Sequence, residues 1–129
     1  MEQNKPFGYS FLVDLYDVEP GLCDNLEFNY RLLEELVDLL KMTKQCPPYV
    51  IHGPTHQGEE LYPDKVGISG WIGLIESGIQ IHTIKPRNFV SIDIYSCGKV
   101  DEVLVKNFLS AKYKPQKVES EFVVRGISY

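Results

Sequence analysis

The sequence predicts an α+β fold, a two-layer sandwich with an antiparallel sheet and helices packed on one face. Three observations predict it. Six short runs rich in branched and aromatic residues are bounded by Pro, Gly and Asn turn signals. Two longer stretches carry apolar residues at helical spacing. Between residues 68 and 96 the strand-like runs follow one another through connections too short for a crossover helix, so they pair as an antiparallel meander.

Tyr9 to Tyr16 form the first strand, which ends near Pro20 and Gly21. From Leu26 to Met42 a helix is expected, because Leu32, Leu33, Leu36, Val37, Leu39 and Leu40 recur at helical spacing and Asp24 or Asn25 can cap its first amides. Pro47 and Pro48 stop it. Tyr49-Val50-Ile51-His52 is a short strand, and Gly53 to Lys65 is a polar loop long enough to act as a lid. The meander strands are Ile68 to Ile75, Ile79 to Ile84 and Phe89 to Ser96, joined through Glu76-Ser77-Gly78 and Lys85-Pro86-Arg87-Asn88. Asp101 caps a second helix running to about Ala111, and Val118 to Val124 is the last strand.

With 129 residues and 43% hydrophobic content, residues 1–129 suit one domain with its own core. A net charge of -5 argues against a nucleic-acid partner, since phosphate binding needs clustered Lys and Arg. No run approaches the roughly 20 apolar residues of a membrane span, and Met1 to Pro6 lack a signal-peptide stretch, so no membrane association and a cytoplasmic location are expected. Cys23, Cys46 and Cys97 are odd in number and form no Cys-x-x-Cys unit, which implies free thiols. His52 and His56 have a helical spacing, but Gly53 and Pro54 between them break a helix, so no metal is expected.

If Ile75 pairs with Ile79 and Ile84 with Phe89, the meander sorts into two faces. Trp71, Ile75, Ile79, Ile81, Val90, Ile92 and Ile94 fall on a core face. Gln80, His82, Ser91, Asp93, Tyr95 and Cys97 fall on the other, with Ile72 and Leu74. Cys97 then lies opposite Glu76. His82 lies five residues from Ser77, about 17 Å at about 3.4 Å per residue. Ser69 belongs to the His82 end, although strict alternation puts it on the core face unless a bulge at Gly67 or Gly70 turns it over. Two-fold antiparallel docking of two such faces would bring the Ser77 end of one chain to the His82 end of another.

The run Glu76-Ser77-Gly78-Ile79-Gln80-Ile81-His82-Thr83, followed by Tyr95-Ser96-Cys97-Gly98 and preceded by Leu12-Val13-Asp14-Leu15-Tyr16, resembles the prokaryotic-type S-adenosylmethionine decarboxylase proenzyme family. The resemblance implies a pyruvoyl-dependent enzyme of polyamine synthesis that cleaves its own chain. Glu76 would end one fragment, residues 1–76, and Ser77 would begin the other, residues 77–129. Ser77 would become the pyruvoyl cofactor, Ser69 and His82 would assist processing, and Cys97 would be the acid that reprotonates the substrate carbon. A homodimer with shared active sites is implied as well. Gly78 would supply the unusual dihedrals that strained cleavage needs.

The family usually continues His-Thr with Trp-Pro-Glu, whereas this chain has Ile84-Lys85-Pro86. The glutamate that would hold ribose hydroxyls is absent there, and Tyr62 is the candidate for stacking on adenine. The family-default substrate is S-adenosylmethionine. Relatives that act on arginine or ornithine make a basic amino acid the alternative, with Glu59, Glu60, Asp64 or Asp93 available for its distal cation. Two further readings are an uncleaved regulatory paralogue and a metal hydrolase built on His52, His56 and His82. Taken singly, Ser77 reads as a turn serine, His82 as a sheet histidine and Cys97 as a small buried hydrophobe.

Overall fold

The computed structural model describes residues 5–54 and 61–129. The strands β1 (Gly8–Tyr16), β2 (Tyr49–Gly53), β3 (Gly67–Leu74), β4 (Ser77–Ile84), β5 (Phe89–Ser96) and β6 (Lys117–Arg125) form one sheet in the order β2-β3-β4-β5-β1-β6. Every neighbouring pair is antiparallel. The helices α1 (Leu26–Leu39) and α2 (Glu102–Tyr113) cover one face, as the apolar patterning predicts. No helix among the described residues is long and apolar enough to cross a membrane.

The helix starts follow from local chemistry. Asn25 Oδ1 accepts the Phe28 amide at 2.9 Å, and Asp101 Oδ1 accepts the Leu104 amide at 3.1 Å. Helix α1 stops earlier than the leucine spacing suggests, because Lys41 takes a left-handed φ of 56° and the Met42 amide reaches back to the Val37 carbonyl at 3.1 Å. The covered sheet face then presents Phe11, Val13, Leu15, Ile72, Leu74, Ile79, Ile81, Val90, Ile92 and Ile94 to Leu32, Leu33, Leu36, Val37, Val105, Leu109 and Tyr113. Buried polar atoms in this layer are satisfied. Asn29 Nδ2 donates to the Leu22 and Asn25 carbonyls, while its Oδ1 accepts the Tyr113 hydroxyl.

The β4–β5 register has Ile84 opposite Phe89, as expected. The β3–β4 register corrects the expectation. Leu74 pairs with Ser77 and Ile72 with Ile79, so the hairpin loop is Ile75-Glu76 and Ser77 is already in the strand. A one-residue change inverts a strand's faces. Ile72 and Leu74 are therefore buried, Trp71 and Ile75 are exposed, and Ser69 lies on the open face directly beside His82 without any bulge. The physical reason is α1: a Cβ at Gly70 would lie 3.4 Å from Leu33 Cδ1, so the helix seats its leucine over Gly70, and the residues in phase with that glycine go inward.

Candidate active site

The uncovered face of the sheet holds a cleft of about 870 Å³, within the size range of small-molecule sites. Ser10, Leu12, Trp71, Gly73, Ser77, Gly78, Gln80, Asp93, Tyr95, Val123 and Arg125 line it. Its floor is low at Gly73 and Gly78, which face each other across β3 and β4. Trp71 rises beside them, 46% exposed, with its ring 4.8 Å from that of Tyr49.

At one end of the cleft is the β3–β4 hairpin. Ser77 has a φ of 144°, a region that non-glycine residues rarely occupy and that stores about 1–3 kcal/mol of strain. The unusual dihedral belongs to Ser77 itself and not to Gly78, where it was expected. The peptide before it is held from two sides. The Cys97 amide donates to the Glu76 carbonyl at 2.8 Å, placing Cys97 opposite Glu76 as the register predicted. On the other side, the Thr43 amide donates to Glu76 Oε1 at 2.9 Å, the Ile75 amide to the Thr43 carbonyl at 2.9 Å and the Gln45 amide to the Gly73 carbonyl at 2.9 Å. Gly8 completes the wall, since a Cβ there would fall 2.2 Å from the Ser96 carbonyl oxygen and 2.7 Å from Cys97 Cα. The first strand runs against the Cys97 backbone only because it begins with glycine.

Ser69 and His82 pair with each other further along the sheet, with Ser91 beside His82 on β5. A single chain thus joins Ser77 to Cys97 and Ser69 to His82, and keeps the two pairs apart. His52 pairs with Ile68 while His82 pairs with Ser69, so the two histidines alternate to opposite faces, and no group of potential metal ligands occurs among the described residues. His56, Glu59 and Glu60 lie outside the described residues. Tyr62 precedes a short 3-10 turn at Pro63–Lys65, is 56% exposed and does not line the cleft. Trp71, Ser10 and Arg125 do, and sequence reasoning missed all three. The signal for Trp71 was the alternation set by Gly70. Ser10 and Arg125 meet only through β1–β6 pairing across the length of the chain.

The three thiols differ in environment. Cys23 is buried, and desolvation first, then the charge of Asp24, push it up to about 11, so it stays protonated; Cys97 and Cys46 are exposed.

Asp14, Asp93 and Glu119 form an acidic row on the open face. Burial first, then the charges of Asp93 and Glu119, raise the Asp14 carboxyl above its ordinary 3.8. The folded state therefore binds this proton more tightly than the unfolded state, and the associated stability is lost as pH rises from 3.8 through the folded value. Asp14→Asn is expected to stabilise the fold near neutral pH by up to about 1 kcal/mol, with the gain vanishing in acid. Thermal melts across pH check this, and a gain independent of pH would contradict it.

Residues 9–126 match the S-adenosylmethionine decarboxylase family. The chain belongs to that family. It is 31% identical over 123 residues to the S-adenosylmethionine decarboxylase proenzyme of Persephonella marina, covering 95% of this chain and 84% of that protein. To the proenzyme of Archaeoglobus fulgidus it is 29% identical over 121 residues, covering 92% of this chain and 97% of the relative. The fold is similar to the crystal structure of the adenosylmethionine decarboxylase from Aquifex aeolicus, with a TM-score of 0.76 at 25% identity, over 96% of this chain and 94% of that one. Within this S-adenosylmethionine decarboxylase fold, the Glu76–Ser77 hairpin opens onto the cleft.

Proposed function

We propose that this chain is a self-processing decarboxylase of S-adenosylmethionine that cuts itself between Glu76 and Ser77 and takes its pyruvoyl cofactor from Ser77. One observation carries the reading: a serine with a strained φ of 144° follows a peptide carbonyl that already accepts the Cys97 amide at 2.8 Å. An amide is a poor electrophile and a hydroxyl a weak nucleophile, so cleavage needs strain, an oxyanion donor and a base. Ser77 Oγ adds to the Glu76 carbonyl carbon and loses its proton as the C–N bond breaks, which turns the peptide into an ester and frees an amine. Loss of the Ser77 Cα proton then breaks the Cβ–O bond and releases Glu76 as a carboxylate. The resulting unsaturated amine takes up water and loses ammonia, leaving a ketone on residue 77.

The base in this reading is His82, assisted by Ser69, and its distance from Ser77 along β4 requires it to come from a second chain. The open face supports such docking, since Tyr49, Ile51 and Trp71 are all exposed there. A two-fold dimer of open faces forms two identical sites. The ketone, once formed, supplies an electron sink as carbon dioxide leaves a bound amino acid. Cys97 returns a proton to the substrate carbon, and the low glycine floor beside Trp71 receives the rest of the substrate.

A second reading, an arginine or ornithine decarboxylase on the same scaffold, is favoured by Asp93, a cleft carboxylate suited to a distal cation. Labelled carbon dioxide release from S-adenosylmethionine, arginine and ornithine in turn tests the choice. The expected result is release from S-adenosylmethionine; release from none would overturn the decarboxylase reading. Cys97→Ala is expected to cleave normally yet to turn over about 10²- to 10⁴-fold more slowly, the usual span for a lost proton donor. Unaltered turnover would remove Cys97 from its role.

A further inference from the structure

We propose that Arg125 is the residue that receives the carboxylate of the substrate. This assignment rests on the decarboxylase reading above and adds to it a residue on the last strand.

Arg125 ends β6 on the open face and lines the same cleft as Ser77. It pairs with Gly8, the glycine pressed against the Cys97 backbone, on the strand that lies between β6 and β5. The guanidinium is held in place. Its Nη1 donates to Ser10 Oγ at 2.9 Å, and its Cζ lies 4.5 Å from the centroid of the Tyr95 ring. Tyr95 in turn packs against Phe7, and the Phe7 amide donates to the carbonyl of Gly126, the residue after Arg125, at 3.0 Å. The side chain is thus fastened at both its base and its tip.

A guanidinium has five N–H donors, and the bond to Ser10 uses one. None of the ion pairs among the described residues includes Arg125, although the open face carries Asp14, Asp93, Glu119 and Glu121. A fixed planar fork with free donors at the rim of a cleft matches a carboxylate in two-point geometry. The reaction demands such a group. The substrate carbon must sit between residue 77 and Cys97, and a carboxylate anchored on Arg125 places it there while fixing the rotation of the bond that will break. Because the negative charge leaves that carboxylate during the reaction, the arginine acts mainly in binding and orientation.

The test uses the full-length Ser77→Ala chain, in which no chemistry follows binding. Calorimetry compares three amino acids with their decarboxylated amines: S-adenosylmethionine with decarboxylated S-adenosylmethionine, arginine with agmatine, and ornithine with putrescine. At least one amino acid is expected to bind about 10- to 100-fold more tightly than its amine, the range for charge-assisted hydrogen bonds. Arg125→Gln in the same background is expected to erase that preference while leaving the amine's affinity within about twofold. Arg125→Lys keeps the charge without the fork and is expected to retain part of it. An Arg125→Gln chain that still prefers the amino acid would overturn the assignment. So would equal loss of both ligands, or a Ser77→Ala chain that prefers no amino acid over its amine. These outcomes are separate from self-cleavage, which the same Arg125 substitutions in a Ser77-containing chain are expected to leave intact and which intact mass reads directly.

Discussion

Ser77→Ala is expected to leave the chain whole, with no fragments at any incubation time and no decarboxylation of any substrate. The effect is total because alanine has no oxygen to add to the Glu76 carbonyl, so every later bond change is lost with it. The hairpin should survive the change, since its grip comes from the backbone bonds of Cys97, Thr43 and Gln45 and from the Glu76 carboxylate. Circular dichroism would therefore match the unsubstituted protein while denaturing gels differ. A Ser77→Ala chain that still yields fragments would move the cut elsewhere.

The second large effect concerns His82. It lies five residue steps from Ser77, about 17 Å, and β4 is unbroken and paired on both sides over that span. His82→Ala alone is therefore expected to stall cleavage, but mixing it with Ser77→Ala should restore the cut. In a mixed dimer one site contains Ser77 from the first chain and His82 from the second, and the other site contains neither. With random pairing of equal amounts, about half of the His82→Ala chains should be cleaved and none of the Ser77→Ala chains. Absence of cleavage in the mixture would mean that the site is completed within one chain, or not by His82.

Much of this arrangement could be read from residue order. The leucines of α1, the caps at Asn25 and Asp101, and the Ile84–Phe89 register all rest on local chemistry, and the last of these places Cys97 at Glu76. Where local chemistry gave no decision, the reading slipped. The loop between β3 and β4 could close on two residues or three, and both choices keep Ile79, Ile81 and their β5 partners inward. Packing against α1 decides, with Leu33 over Gly70 and with Ile72 and Leu74 in the core, and it joins residues far apart in sequence. It exchanges Trp71 for Ile72 and settles Ser69 beside His82. Ser10 and Arg125 were beyond reach for the same reason, because their meeting depends on β6 returning to β1 from the far end of the chain. Glycine normally takes such dihedrals, so residue order points to Gly78, whereas the strain falls on Ser77.

Intact mass spectrometry of freshly purified protein, followed over time, tests the self-cleavage most directly. The expected result is two fragments, residues 1–76 with an ordinary carboxyl end and residues 77–129 whose first residue carries a ketone in place of an amine. A single unchanging species at 14.8 kDa would contradict it.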